Sequence, residues 1–207
     1  MSSAHPKRTG RRRGLSESRE RIAAAARLLF GELGYERTTF RRIASAAGVD
    51  PALVVHFYGS KEDLFRQVMQ FPEGVSDALV HVAEEPSDRM GRRFAELAVG
   101  ALENPATKSI FLGRIRSASS HPDAAALVRE TVTRDLSRLT SAITQDRPDA
   151  RAVLLGAHIV GIALARYIVR VEPLASLPPA EVIDLIAPTF QRYLAEPLGD
   201  ADGRDTA

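Results

Sequence analysis

Residues 38–64 read TTFRRIASAAGVDPALVVHFYGSKEDL, and this stretch decides the fold. Thr39 is placed to cap a short helix, and Gly48 suits the left-handed conformation that closes one. Asp50 followed by Pro51 is the cap and first-position pair of a second short helix. Because only three residues separate the two helices, the stretch predicts a helix-turn-helix.

Each of the two predicted helices has an inward and an outward face. Ile43, Ala44 and Ala47 are expected to face inward from the first helix, and Val54 and Tyr58 from the second. In helix-turn-helix motifs the second helix lies in the major groove of DNA. We therefore expect its outward face to meet base edges.

Eight residues of this stretch are candidates for DNA contact: Thr39, Arg41, Arg42, Pro51, Ala52, Val55, His56 and Lys61. The small apolar side chains of the second helix suit thymine methyl groups, and the imidazole of His56 suits a hydrogen bond to a base edge or a phosphate. Thr39 and Lys61 lie at helix starts, where phosphates bind. The two arginines either contact the DNA backbone or are ordinary solvated residues.

Apolar residues recur at helical spacing on both sides of the motif, and strand signals are nearly absent. Upstream, one apolar face consists of Ile22, Ala25, Ala26, Leu29, Phe30 and Leu33. Downstream, Ser60 and Asp63 begin a helix, and prolines divide the rest into helices at about 74–85, 87–103, 105–119, 122–145, 149–171 and 179–195. Pro188 is expected to kink or break the last one. The sequence thus predicts an all-α fold with a three-helix head and a helical body.

Charge divides the chain in the same way. Residues 1–70 contain 13 Lys and Arg against 7 Asp and Glu, and residues 71–207 contain 15 against 19. A basic head on an acidic body indicates a polyanion-binding module at the N-terminus. We predict a flexible basic arm over 1–15, a DNA-binding domain over 16–60, an effector-binding and dimerisation domain over 61–196 and a polar tail over 197–207.

Composition excludes several classes of protein. The chain has 207 residues and no cysteine, which excludes disulfide frameworks, thiolate catalysis and cysteine-ligated zinc. No apolar run approaches the roughly 20 residues of a membrane span, and no secretory signal opens the chain. His81 and Glu84 have a spacing that suits a metal, but no second pair accompanies them. We expect a cytoplasmic protein without metal, cofactor or catalytic site.

Four segments together resemble the N-terminal domain of the tetracycline-repressor (TetR) family. They are TTFRRIA (38–44), AGV (47–49), FYGSKEDL (57–64) and the upstream pattern A-x-x-L-F-x-x-x-G-Y (26–35). The resemblance covers about residues 16–70. Val55 and Phe57 stand where the family often has aromatic or histidine side chains that touch phosphates, so the expected contact moves to His56.

The resemblance implies an all-helical homodimer whose body binds a small effector. The function that we expect is a ligand-responsive repressor, not an enzyme, released from a palindromic operator by its effector. One alternative is an all-helical small-molecule-binding protein or enzyme without a DNA role. Another is an architectural DNA binder without an effector, which a fully packed body would favour.

Candidate residues in the body are fewer and more ambiguous. The effector pocket is predicted to include Phe94, Phe111, Ile115, His158 and Arg166, each of which can also be plain core. A ligand with an acidic or carbonyl group would suit His158 and Arg166. Three small residues at four-residue intervals predict a dimer interface on the helix 149–171, paired with 179–195: Ala157, Gly161 and Ala165.

Overall fold

The computed structural model describes residues 9–72 and 74–198, with side chains from residue 14 onward, and these residues form helices without a strand. The head contains α1 (Thr9–Arg37), α2 (Phe40–Ala47), α3 (Pro51–Tyr58) and α4 (Lys61–Val68). Gly34 kinks α1, since its φ of 74° and ψ of 179° are not helical. The body contains α5 (Val75–Val80), α6 (Met90–Glu103), α7 (Pro105–Ala118), α8 (Pro122–Glu130), α9 (Ser137–Ile143), α10 (Pro148–Ala163) and α11 (Pro179–Ala195). The predicted all-α class is confirmed.

Several predicted boundaries need correction. The chain is already helical from Thr9, since arginine is a good helix former, so the predicted arm is helical in residues 9–15, and residues 1–8 lie outside the described residues. The helix predicted at 74–85 is only α5, followed by tight turns. Pro188 lies inside α11 without breaking it. Of the predicted polar tail, 199–207 lie outside the described residues.

Two π-helical turns lengthen the body helices. Thr131–Leu136 joins α8 to α9, and Leu164–Val169 continues α10. The sequence predicted each of these segments as one long helix, which is close to what the structure has. Such turns add a residue to the helical circumference and redirect the side chains that follow.

One apolar core holds the head together. Ile22, Ile43 and Val54 have no exposed surface, so α1, α2 and α3 meet in the dry centre. Phe30 and Phe65 meet edge to face with ring centroids 4.9 Å apart, which adds α4 to the same core. The core therefore continues beyond the helix-turn-helix into the helix that leads to the body.

Helix α1 also packs along α7, and glycine makes this crossing close. A Cβ on Gly31 would lie 2.8 Å from the carbonyl oxygen of Ser109, and a Cβ on Gly113 would lie 3.2 Å from the backbone nitrogen of Gly31. The Tyr35 amide donates to Oγ of Ser117 at 2.9 Å beside this crossing. The head is thus attached to the body through direct backbone packing.

The body has its own core between α6 and α11. Phe94 and Phe190 meet edge to face at 5.0 Å, and the side-chain oxygen of Gln191 accepts from the Gly91 amide at 2.8 Å. Arg151 is 2 % exposed, and its guanidinium binds the carbonyls of Tyr193 and Glu196 at the end of α11. These contacts fix α6, α10 and α11 as the frame of the body.

Gly31→Ala should destabilise the protein by about 2 kcal/mol, because the new methyl meets the backbone of α7 and the helices must separate. Gly100→Ala is the matched control: its Cβ meets nothing within 4 Å, so the helix propensity of alanine should stabilise the protein by up to about 1 kcal/mol. Urea unfolding followed by circular dichroism measures both. Equal stabilities would contradict close packing at the crossing.

Candidate nucleic-acid interface and body cavity

The turn between α2 and α3 has the predicted conformation. Gly48 adopts φ 64° and ψ 43°, and its amide donates to the carbonyls of Ala44 and Ser45. The Val49 amide donates to the Ala44 carbonyl at 3.0 Å, and its half-buried side chain packs on the head core. Oδ1 of Asp50 accepts from the Ala52 amide at 2.7 Å and starts α3. The predicted helix-turn-helix is therefore present.

Helix α3 is anchored from its inner face. Val54 has no exposed surface, and the buried Tyr58 donates from its hydroxyl to the Arg19 carbonyl on α1 at 3.0 Å. The Arg19 guanidinium lies 5.7 Å from the centre of the Tyr58 ring. These contacts leave a free outer face whose members are all exposed: Pro51, Ala52, Val55 and His56.

Two exposed arginines begin α2. Thr39 caps this helix, because its hydroxyl oxygen accepts a hydrogen bond from the Arg42 amide at 3.3 Å, and Thr39 is itself exposed. The Arg42 guanidinium donates to the Arg37 carbonyl at 3.2 Å, which orients it along the helix start. Arg41 forms no hydrogen bond or ion pair with the described side chains. Its charge is therefore available to an outside anion.

The Lys61 side chain is less exposed than those of Arg41 and Arg42. Ser60 caps α4 by accepting from the Asp63 amide at 3.0 Å, as predicted, and Lys61 follows as the first helical residue. Its ammonium lies 4.1 Å from the centre of the Tyr35 ring, and partial burial lowers its pKa. The ammonium is thus stacked on an aromatic ring rather than extended into solvent.

The body contains a mostly apolar cavity of about 560 Å³ that is partly open to the surface. Its walls come from α5, α6, α7, α8, α10, the segment that follows α4 and the π-helical turn Thr131–Leu136. Three of the predicted pocket residues line it: Phe94, Phe111 and Ile115. A volume of this size is typical of small-molecule sites.

The other two predicted pocket residues do not line the cavity. His158 faces α11, where its ring lies 5.8 Å from that of Phe190 and 5.7 Å from that of Tyr193. Arg166 is buried in a different cluster, where it binds the Tyr167 hydroxyl at 3.0 Å and the Glu103 carboxylate at 3.2 Å. The sequence analysis placed both residues on the long helical segment that contributes to the cavity wall. It could not predict which side of that segment faces the cavity.

Arg114 is a cavity residue that the sequence analysis missed. It is 4 % exposed, and Nε donates to the Met69 carbonyl at 2.7 Å while Nη1 donates to Oγ1 of Thr131 at 2.8 Å. Burial lowers the pKa of this guanidinium to about 10, so it is still cationic at neutral pH. A signal was present, since Arg114 follows Phe111 by three residues and therefore lies on the same face of the helix.

One helix is more apolar than the sequence analysis expected. The segment Pro148–Val169 has 22 residues and contains an 18-residue stretch with a mean hydropathy of 1.9, which is long and apolar enough to cross a membrane by length and composition alone. Val153 and Val169 are 56 % and 60 % exposed, and both Ala157 and Gly161 are exposed. Much of this apolar surface lies outside the core of the single chain.

The pair His81 and Glu84 forms an exposed contact of 2.8 Å on the surface. No group of three or more metal-ligating side chains occurs within the described residues.

Comparison with known proteins follows the division into head and body. The family description "Bacterial regulatory proteins, tetR family" matches residues 22–68, and "Tetracyclin repressor-like, C-terminal domain" matches residues 88–194. The crystal structure of a TetR-family regulator from Streptomyces coelicolor is 31 % identical, with a TM-score of 0.58 over 93 % of this chain and 99 % of that one.

Two curated relatives are similar over shorter spans. The HTH-type transcriptional repressor AcnR of Corynebacterium glutamicum is 42 % identical over 24 % of this chain and 27 % of its own length. The HTH-type transcriptional dual regulator CecR of Shigella flexneri is 28 % identical over 63 % of this chain and 46 % of its own length. The match thus spans less than half of either curated relative. The two matched domains and the helix-turn-helix together show that the chain belongs to the TetR family of DNA-binding transcriptional regulators, a family without enzymatic activity.

Proposed function

We propose that this chain is an intracellular homodimeric repressor that leaves a palindromic operator when a small molecule fills the body cavity. The observation that carries this proposal is the free outer face of α3, anchored from behind by Val54 and Tyr58 and bordered by exposed arginines of α2. A recognition helix anchored from behind and flanked by exposed cations suits both sequence reading and phosphate binding.

The role that each residue of the head takes in DNA binding follows from the chemistry of its side chain. His56 is the polar side chain on the outer face of α3, so it reads a base edge, while Pro51, Ala52 and Val55 meet apolar parts of the groove. Arg41 and Arg42 bind phosphates, and Thr39 does so at the start of α2. Lys61 contributes a phosphate contact from its position on the Tyr35 ring.

The exposed side of α10 supports a homodimer. A Cβ on Gly161 meets nothing within 4 Å, and Val153, Ala157 and the half-buried Ala165 extend the same strip at four-residue intervals. On α11, Leu185 is 62 % exposed. Two such helices from each chain would bury these surfaces in a four-helix interface related by two-fold symmetry. This packing also accounts for the apolar character of α10 without a membrane.

The cavity supports an effector rather than a purely architectural role. A body that only joined two heads would gain stability by filling the space between Phe94, Phe111 and Ile115. An effector releases the operator only to the extent that it binds the released conformation more tightly than the DNA-bound one. We therefore propose that cavity occupancy and DNA binding favour different conformations.

Footprinting of the purified protein on genomic DNA should recover palindromic sites with half-sites about one helical turn apart, roughly 34 Å. Addition of the physiological effector, sought among candidate small molecules, should then release the protein. Recovery of sites without two-fold symmetry would contradict the dimeric arrangement, and the absence of protected sites would contradict the DNA-binding function.

His56→Ala should change the base preference of the protein in selection from random DNA, because it removes the polar group on the outer face of α3. Arg41→Ala is the comparison variant: it should weaken binding to all sequences about equally and reduce the salt dependence of binding. An unchanged consensus and affinity for His56→Ala would show that other residues read the bases.

Gly161→Leu should give monomers in light scattering while each chain keeps its helix content, because its side chain has open space in the single chain but none in the proposed interface. Operator affinity should fall by about two orders of magnitude, since each head then binds alone. Ala126→Leu, at an exposed position of α8, is the control and should remain a dimer. A dimeric Gly161→Leu protein with native affinity would place the interface elsewhere.

A further inference from the structure

The wall of the body cavity carries a buried cation that forms no direct ion pair within the described residues, although the carboxylates of Glu130 and Asp135 lie close enough to act on its pKa. The bonds of Arg114 go to neutral acceptors, the carbonyls of Met69 and Leu127 and the hydroxyl of Thr131. Its guanidinium also lies 4.4 Å from the centre of the Phe71 ring. Its Nη2 group makes no hydrogen bond with the described part of the chain, although the residue is only 4 % exposed.

The acidic side chains on the same wall have cations of their own. Asp135 pairs with Arg134, whose Nε lies 3.0 Å from Oδ1. Glu96 pairs with Arg93, with nitrogen and oxygen 3.6 Å apart. Both arginines lie outside the residues that line the cavity. Among the described lining residues, Arg114 is therefore the charged side chain without a direct salt bridge of its own.

A buried and unpaired guanidinium is costly, and a ligand that supplies its anion recovers part of that cost. Nitrogen donors of arginine bind a carboxylate through charge-assisted hydrogen bonds, which are about twice as strong as neutral ones. The remaining wall is apolar, with Phe94, Phe111 and Ile159 among its members. This combination suits a molecule with one anionic group and an otherwise apolar body.

We propose that the effector cavity takes an amphipathic organic anion, a carboxylate on an aliphatic or aromatic body, and that Nη2 of Arg114 binds its charged group. This inference rests on the proposed effector role of the cavity and adds the chemical class of the ligand. It also replaces the acid-binding role that the sequence assigned to His158 and Arg166, whose side chains are occupied elsewhere.

The same guanidinium connects the cavity to the head. Nε of Arg114 holds the carbonyl of Met69, the residue that ends α4, and the Met69 side chain is unexposed in the head core. Its sulfur also packs against Gly113 at the α1–α7 crossing. A carboxylate that draws the guanidinium into the cavity therefore loosens its hold on the end of α4, the last helix of the head.

Isothermal titration of the full-length protein with two matched probe pairs tests the ligand class. The pairs are decanoate with 1-decanol, and 2-naphthoate with 2-naphthol. At least one anion should bind about tenfold or more tightly than its neutral partner. Arg114→Gln should abolish this difference and leave the affinity for the neutral probe nearly unchanged. Arg129→Gln, at an exposed position on α8 outside the cavity, should keep the wild-type preference.

Neutral probes that bind wild-type protein as tightly as both anions would overturn the inference, and so would an anion preference that survives in Arg114→Gln. The wild-type comparison does not depend on a variant, so it decides the question even where circular dichroism shows that Arg114→Gln is unfolded.

A DNA-release assay with the preferred anion tests the connection to the head. The anion should release the operator from the wild-type protein but not from folded Arg114→Gln. Anion binding without release would overturn the connection through Met69 and leave the ligand class standing. A protein that binds no DNA would instead overturn the proposed function, while the titrations would still report on the cavity.

Discussion

The crossing of α1 over α7 is the constraint on which the rest of the structure depends. At Gly31 and Gly113 the two helices approach so closely that a methyl group would meet backbone atoms. Helix α1 also contributes Ile22 and Phe30 to the head core, so one rigid element belongs to both parts of the chain. The orientation of the recognition helix relative to the body is therefore set by helix packing and not by a linker.

Arg114 shows how a polar group can be kept in such a tightly packed place. Its bonds to backbone carbonyls of α4 and α8 satisfy part of the guanidinium, and the Phe71 ring covers one face. Desolvation lowers its pKa, but not enough to neutralise it near pH 7. The charge therefore persists next to an apolar space, at the point where the head, the cavity and α8 meet.

The parts of the structure that depend on local signals were predictable. Thr39, Asp50 and Ser60 begin the helices that they were expected to begin, and Gly48 closes α2 in the left-handed conformation, because caps and glycine turns act within a few residues. The side of α10 that faces the cavity was not predictable, since apolar residues occur all round this helix. His158 and Arg166 lie outside the cavity wall, and the π-helical turns had no local signal.

The continuity of the head core into α4 has a consequence for protein engineering. Exchange of DNA-binding heads between related regulators requires a junction that leaves each half with a complete interior. A cut after Gly59 or Ser60 would separate Leu64, Phe65 and Met69 from the aromatic side chains that they cover. A working chimera must carry α4 with its donor head, and its recipient body must offer an α7 whose surface accepts the grafted α1 as closely as Gly113 does here.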